Sequence, residues 1–301
     1  MHIAILSRGP SLYSTRRLVE AGEERGHDIS IVDHAAGSLR IGGGGDRRGE
    51  ILLRGIPLHL PDVAIPRIGS SITALGAGVT SHFEMLGIPL TTGTEGLLLA
   101  RDKLRCLQYL AAQGLPVPPT VVATAYQNPW HAIQRLGKFP YVVKMLESTH
   151  GIGVDLVHNR LQLERTLESF IRLQGRALIQ PFFKEAEGTD IRALVVDGRV
   201  VAAMRRRARS GEFRSNLHRG ATAEAIELTA EETDIVLRSV DLLGIHVAGV
   251  DLLPTQGGPV IMEVNASPGL EGIEQATGVD VAGAVIEVAV RIGLKPQKSN
   301  P

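Results

Sequence analysis

One cysteine in 301 residues, Cys106, excludes both an internal disulfide and a cysteine-based zinc site. Cys106 lies in a helical pattern, Arg105-Cys106-Leu107-Gln108, where packing is its expected role. Net charge is absent too, with 32 Lys and Arg against 32 Asp and Glu. No overall field therefore argues for a nucleic-acid coat or a membrane-surface protein. No apolar run is long enough to span a bilayer, and His2-Ile3-Ala4-Ile5-Leu6-Ser7 lacks the charged start of a signal peptide. A cytoplasmic location with no membrane partner is the expectation. Several catalytic signatures are also missing. There is no GxxxxGK[ST] phosphate loop, no HxxxH or HExxH, no GxSxG, and no GxGxxG joining a strand to a helix. Hydrophobic residues at 44% and charged residues at 21% are ordinary for a globular chain long enough for two or three subdomains.

What is present falls into two textures. Up to about residue 115, strands and helices alternate: a strand at 2–7, a helix at 12–25 ending at Gly26, strands at 28–33 and 62–67, a helix at 71–86 and a short strand at 88–91. Such alternation predicts a small parallel sheet with helices on its faces. Residues 40–48 read as a glycine-rich loop, and 101–113 as one helix closed by Gly114. The LPVPP run at 115–119 reads as a stiff extended linker. Beyond it, strands at 141–146, 153–157, 176–180, 191–196, 199–204, 247–253 and 260–264 interleave with helices at 160–173, 229–243 and 279–292. Asp197-Gly198 predicts a hairpin, and Thr229-Ala-Glu-Glu232 a capping box. The fold class is α/β shading into α+β.

The most informative segment is VAGVDLLPTQGGPVIMEVN, 247–265. Two apolar runs, each carrying a carboxylate, are joined by Gly257-Gly258. Glu263 and Asn265 share a face because strand side chains alternate, and Asp251 can be brought opposite them. The acids either point to water or form an oxygen-rich patch for Mg²⁺; apolar neighbours on both sides of each acid favour the patch. Lys144 in YVVKML needs an anionic partner or a shifted pKa. The loop after it, Ser148–Gly153, carries a Gly-Ile-Gly that fits a phosphate flap, or equally an ordinary hairpin loop. The arginines from Arg205 to Arg219 read as a solvated face, a nucleic-acid patch or a phosphate clamp. Alternation puts Arg206 opposite in direction to Arg205 and Arg207. Asp190 could hold a ribose hydroxyl or an arginine, and Phe182 could wall an adenine.

In order, Arg101-Asp-Lys103, the VVK strand, Gly-Ile-Gly, Asp190-Ile-Arg192, RSNLHRG (214–220), GVDLL (249–253) and EVNASPGLEGIE (263–274) resemble the ATP-grasp ligases, and more narrowly the RimK-type α-L-glutamate ligases. The resemblance extends through PRIGS (66–70) and FEMLG (83–87). The chain departs from the pattern in its Gly-rich 41–45 loop, in Pro181 and in Ala221. The resemblance implies an ATP-grasp fold: an N-terminal α/β pre-ATP-grasp domain (1–100), a central lid subdomain (101–184) and a C-terminal α+β subdomain with the metal site (185–301). It implies that Asp251, Glu263 and Asn265 hold two Mg²⁺ or Mn²⁺. ATP contacts would be Lys103, Lys144, Pro181, Phe182, Asp190, Arg214, Ser215 and Asn216. Arg206 and Arg214 would be catalytic, and Ser267, Pro268 and Gly269 would lie near the amino-acid substrate. The implied reaction joins L-glutamate to a carboxylate through an acylphosphate. The implied acceptor is the C-terminus of small-ribosomal-subunit protein six, or a growing poly-α-glutamate, with no nucleic-acid partner and a homotetrameric assembly.

Overall fold

The computed structural model describes residues 1–42, 49–125, 129–146, 153–186, 188–209, 212–215, 217 and 220–295. The first unit runs β1 (His2–Leu6), α1 (Tyr13–Glu24), β2 (Asp28–Val32), β3 (Gly37–Ile41), β4 (Gly49–Leu53), β5 (Ile56–Pro57), β6 (Val63–Pro66), α2 (Thr73–Met85), α3 (Thr94–Arg101) and α4 (Lys103–Ala112). β1 lies between β2 and β6, all parallel, with Ile3 opposite Ile29 and Val63. Its Ile3–Leu6 run is buried on both faces, as a strand covered by helices on each side requires.

Three local expectations are corrected here. The 40–48 loop reading missed an antiparallel sheet, since Arg40 and Ile41 end β3 and β4 begins at Gly49; residues 43–48 lie outside the described residues. The strand at 88–91 is a single bridge between Ala64 and Leu90. The helix at 101–113 starts only at Lys103, because Asp102 takes an extended backbone and caps it, accepting from the Arg105 N–H at 3.0 Å. That break leaves Arg101 as the last residue of α3 and Lys103 as the first of α4.

The second unit comprises β7 (Val121–Thr124), α5 (Trp130–Gln134), β8 (Tyr141–Met145), β9 (Val154–Val157), α6 (Arg160–Gln174) and β10 (Arg176–Pro181). Its antiparallel sheet has the order β7-β10-β8-β9. The third comprises β11 (Thr189–Val196), β12 (Arg199–Arg207), β13 (Thr222–Ala225), α7 (Ala230–Leu242), β14 (Val247–Leu253), β15 (Val260–Asn265), α8 (Glu271–Thr277) and α9 (Val281–Gly293). Its sheet order is β13-β12-β11-β14-β15. Asp197 and Gly198 turn β11 into β12 with φ of 54° and 70°, the left-handed pair that a tight hairpin requires. Both halves of the Thr229/Glu232 capping box form.

The strand period sorts the core. Ala4 and Leu6 pack into one cluster with Phe83, Leu97, Ile191 and Val250. Ile3 and Ile5 face a second cluster with Leu194, Val196, Val247 and Ile286. The first and third units thus share both large cores. The second keeps its own, built on Ile133, Tyr141, Val143, Leu163 and Ile179. A small cluster of Leu107, Leu146 and Leu178 links it to α4. No helix among the described residues is long and apolar enough to cross a membrane.

Candidate active site

A cavity of about 800 Å³ opens where the three units meet. Its floor is the sheet β12-β11-β14-β15. Register sets Arg206 opposite Asp190, Arg192 opposite Asp251, and Asp251 opposite Glu263. Cross-strand neighbours on one face interact directly, so opposite charges meet from β12 to β14, while Asp251 and Glu263 set two carboxylates opposite each other at the β14–β15 end. Arg192 grips both oxygens of Asp251 at 2.7 Å. Arg206 grips both oxygens of Asp190 at 2.6 Å and reaches Asp251 at 3.2 Å. Ser215 donates its hydroxyl to Asp190. Asp190, Arg206 and Asp251 are almost sealed, at 2%, 4% and 2% exposure. Burial opposes the charge on Arg206, but Asp251 and Asp190 outweigh it and raise its pKa. Burial likewise pulls Asp251 up, and Arg192 with Arg206 brings it below the ordinary carboxylate value. Burial raises Asp190, with Arg206 and Ser215 pulling against that rise.

Glu263 and Asn265 project into the same cavity. Among the described residues nothing hydrogen-bonds or ion-pairs with Glu263, and the Nδ2 of Asn265 is buried without a partner. Two carboxylates and an amide form this donor set; no trio of His, Cys, Asp and Glu that could hold a metal occurs among the described residues. The set nevertheless suits a hard cation. Glu263 has oxygens to give, and the three arginine bonds to Asp251 leave one of its four lone-pair positions.

On the lid side, Lys144 of β8 lines the cavity, and burial followed by the nearby Lys103 pushes its pKa down to about 8. Phe182 follows β10, donates its N–H to the carbonyl of Pro140, and stands edge-on to Phe213 at 6.3 Å. Arg214 is held by Glu212 at 2.9 Å, and that hydrogen bond pulls Glu212 down to about 2. Cys106 is buried outside the cavity; burial, then Glu263, pushes its thiol up to about 12, so it supplies no thiolate.

The residues expected to act together do share the cavity: Lys103, Lys144, Pro181, Phe182, Asp190, Arg206, Arg214, Ser215, Asp251, Glu263, Asn265, Ser267, Pro268 and Gly269. Asn216 lies outside the described residues, as do 148–152 of the expected flap. Of the two partners open to Asp190, an arginine is the one present. The arginine run is not a continuous cationic face, since Arg206 is buried while Arg205 and Arg207 reach Glu224. Sequence reading gave no role to Phe213, Arg192, Arg67 or Arg101, all of which line the cavity. Arg67 had one usable signal: it follows an apolar strand at the carboxyl edge of a parallel sheet, where such folds bind ligands.

Family models match nearly the whole chain: the RimK PreATP-grasp domain over residues 1–97 and the RimK-like ATP-grasp domain over 100–289. The chain belongs to the RimK-type ATP-grasp family. A probable alpha-L-glutamate ligase 2 of Shewanella sp. (strain MR-4) is 46% identical over 298 residues, 99% of each chain. A probable alpha-L-glutamate ligase of Methanococcoides burtonii is also 46% identical, covering 97% of this chain and 96% of its own. Among solved structures, D-alanine–D-alanine ligase from Bacillus anthracis complexed with ATP has the same fold, with a TM-score of 0.74, 20% identity and 98% of each chain covered. A RimK domain ATP-grasp protein of Sphaerobacter thermophilus superposes with a TM-score of 0.71 at 24% identity, over 96% of this chain and all of its own. As an ATP-grasp ligase of this family, the protein binds ATP and uses it to drive ligation.

Proposed function

We propose that the protein activates a carboxylate with ATP and joins it to the amine of L-glutamate. The observation carrying this reading is the charge row on the cavity floor, with carboxylates and arginines facing two lysines across a space large enough for a nucleotide. The acceptor carboxylate attacks the γ-phosphorus of ATP, the bond to the bridging oxygen breaks, and ADP departs with that electron pair. The amine then attacks the acylphosphate carbonyl, phosphate leaves with the C–O electron pair, and the nitrogen sheds a proton as the amide forms. Charge neutralisation and positioning supply most of the acceleration in such a transfer.

In this reading Lys103 and Lys144 hold phosphate oxygens, and Phe182 with Pro181 and Phe213 encloses the base. Arg214, Ser215 and Asn216 border the nucleotide. Arg206 is fixed by two carboxylates, a preorganised cation aimed at the transferring group. Asp190 serves that fixation as well as the ribose side of the site. Asp251, Glu263 and Asn265 would hold Mg²⁺ or Mn²⁺, which when bound draws charge off the β- and γ-phosphates. Ser267, Pro268 and Gly269 sit beside the amino-acid substrate. The domain boundaries proposed are 1–100, 101–184 and 185–301, a division that counts α4 with the lid although Cys106 and Leu110 pack it into the core of the first and third units. The preferred acceptor is the C-terminal glutamate of small-ribosomal-subunit protein six, acted on by a cytoplasmic homotetramer.

The test is intact mass after incubation with ATP, Mg²⁺, L-glutamate and each candidate acceptor. Glutamate ladders on the ribosomal protein support the full reading. Ladders on free glutamate alone would move the acceptor to small molecules, and no ADP with any acceptor would remove the glutamate reading.

A further inference from the structure

On the part of the cavity wall supplied by the first unit, two guanidinium groups stand without an ion-paired acid among the described residues, Glu263 lying near enough to Arg101 only to raise its pKa against burial. Arg67 follows β6 at the carboxyl edge of the parallel sheet, and Arg101 ends α3. Arg67 donates to the carbonyl of Pro268 at 2.6 Å, and Arg101 donates to the carbonyl of Ile68. Both partners are backbone dipoles rather than charges. The Arg101 Nε is buried with no partner, and among the described residues neither arginine has an ion pair. Burial, then the neighbouring Arg101, pushes Arg67 down to about 10. Arg192 and Arg206, by contrast, are matched by carboxylates on the same cavity wall.

Two half-buried cations side by side are costly unless an anion joins them. Other donors at this end are also unsatisfied: the Ser267 hydroxyl, one residue before Pro268, and the Asn265 amide are both buried without partners. Such a cluster of unmet donors calls for an acceptor-rich ligand. A guanidinium offers a planar fork that matches a carboxylate, and here two forks border one space.

We infer, resting on the ligase reading above, that Arg67 and Arg101 together with Ser267 bind the side-chain carboxylate of a dicarboxylic amino acid, and thereby select the acid over its amide. The acid closes the ion pairs; the amide leaves both guanidinium groups unmet. A site built on buried polar partners rejects the analogue that cannot complete them. The carboxylate can belong to the incoming amino acid or to the terminal residue of the acceptor, and the chemistry of recognition is the same.

Two arms of one kinetic experiment separate these sources. ADP release by the full chain with Mg²⁺ and ATP is measured with L-glutamate against L-glutamine as the amine, then with N-acetyl-L-glutamate against N-acetyl-L-glutamine as the acceptor. The wild type is expected to prefer the acid by roughly 10²-fold or more in kcat/KM in one arm, which names the source. Arg101→Gln is expected to cut that ratio to about 10 or less while ATP affinity stays within about threefold. Arg67→Gln should do the same, and Arg101→Lys should keep an intermediate ratio. Calorimetric ATP binding by each variant confirms that it is folded. A wild-type ratio near one in both arms overturns the assignment, as does a ratio unchanged in Arg101→Gln and Arg67→Gln, or ATP affinity falling in place of the ratio. Those results leave ligation intact. A wild type that binds Mg²⁺–ATP yet releases no ADP with any pair removes the ligase reading and this assignment together.

Discussion

Single side chains carry the sharpest expectations. Arg206 is fixed by Asp190 and Asp251 and faces the cavity. Arg206→Ala should lower kcat by about 10²- to 10³-fold with a smaller change in ATP affinity. It should also strand the buried Asp190, Asp251 keeping Arg192, and destabilise the fold by about 3–5 kcal/mol, visible as a lower Tm. An unchanged kcat in folded variant would take Arg206 out of the mechanism. Glu263 behaves differently, having no hydrogen-bond or ion-pair partner among the described residues to strand. Glu263→Ala should therefore abolish ADP release at near wild-type Tm; sustained turnover would count against its metal role. Lys144 adds a pH dependence. Its pKa is depressed to about 8 from the usual 10.5, with burial and Lys103 lowering it against Glu263 and Asp251. Between those two values the unfolded chain binds the extra proton, so this group makes stability rise with pH across that window. ATP affinity should move the other way, weakening above about pH 8 as the ammonium is lost. Binding isotherms from pH 7 to 9.5 check this, and Lys144→Arg should flatten the profile.

Secondary elements aim these groups, and here local chemistry matters more than propensity. Asp102 and Thr229 are both N-caps with side-chain bonds to the helix start. Loss of either cap costs about 1 kcal/mol. Only Asp102 divides Arg101 from Lys103 at the cavity. Asp102→Ala should therefore raise the KM for ATP, whereas Thr229→Ala should lower Tm comparably and leave kinetics alone. Equal kinetics in the two variants would show that the break between α3 and α4 has no role in binding. Gly249 makes a similar point within β14: a Cβ there would lie 2.9 Å from Pro268, so the bare backbone admits the 267–269 turn beside the sheet. Much of this was legible beforehand. The Asp197-Gly198 turn, the capping box and the paired acids of the final hairpin are short-range features, settled by side-chain alternation and by residues a few positions apart. Asp102 was missed because a single acid inside a helical pattern reads as an exposed helix residue. β3 and β4 were missed because the glycine run between them masked two short strands.

Across the whole molecule, shared burial binds the first and third units while the second holds a core of its own. Among the described residues a small cluster of Leu107, Leu146 and Leu178, with a few half-buried neighbours, links that unit to α4. Local opening follows buried contact, so the β7–β10 sheet should exchange amide hydrogens faster than β1 or β14. Mg²⁺–ATP bridging Lys144 and the cavity floor should slow exchange in β8 and β10 most. Hydrogen-exchange mass spectrometry with and without nucleotide measures both; uniform protection across all three units would contradict the division.

The chain by itself determined which candidate groups could act together: the acids of the last hairpin, the strand lysine, and an Arg206 directed opposite to Arg205 and Arg207. Alternation and turn residues act over a few positions and need no knowledge of the rest. Only the tertiary structure decided what those groups touch. Asp251 is given to Arg192, 59 positions away, and Arg67 meets Pro268 across 201. Such pairings depend on how shared cores stack sheets from opposite ends of the chain, which no local pattern encodes.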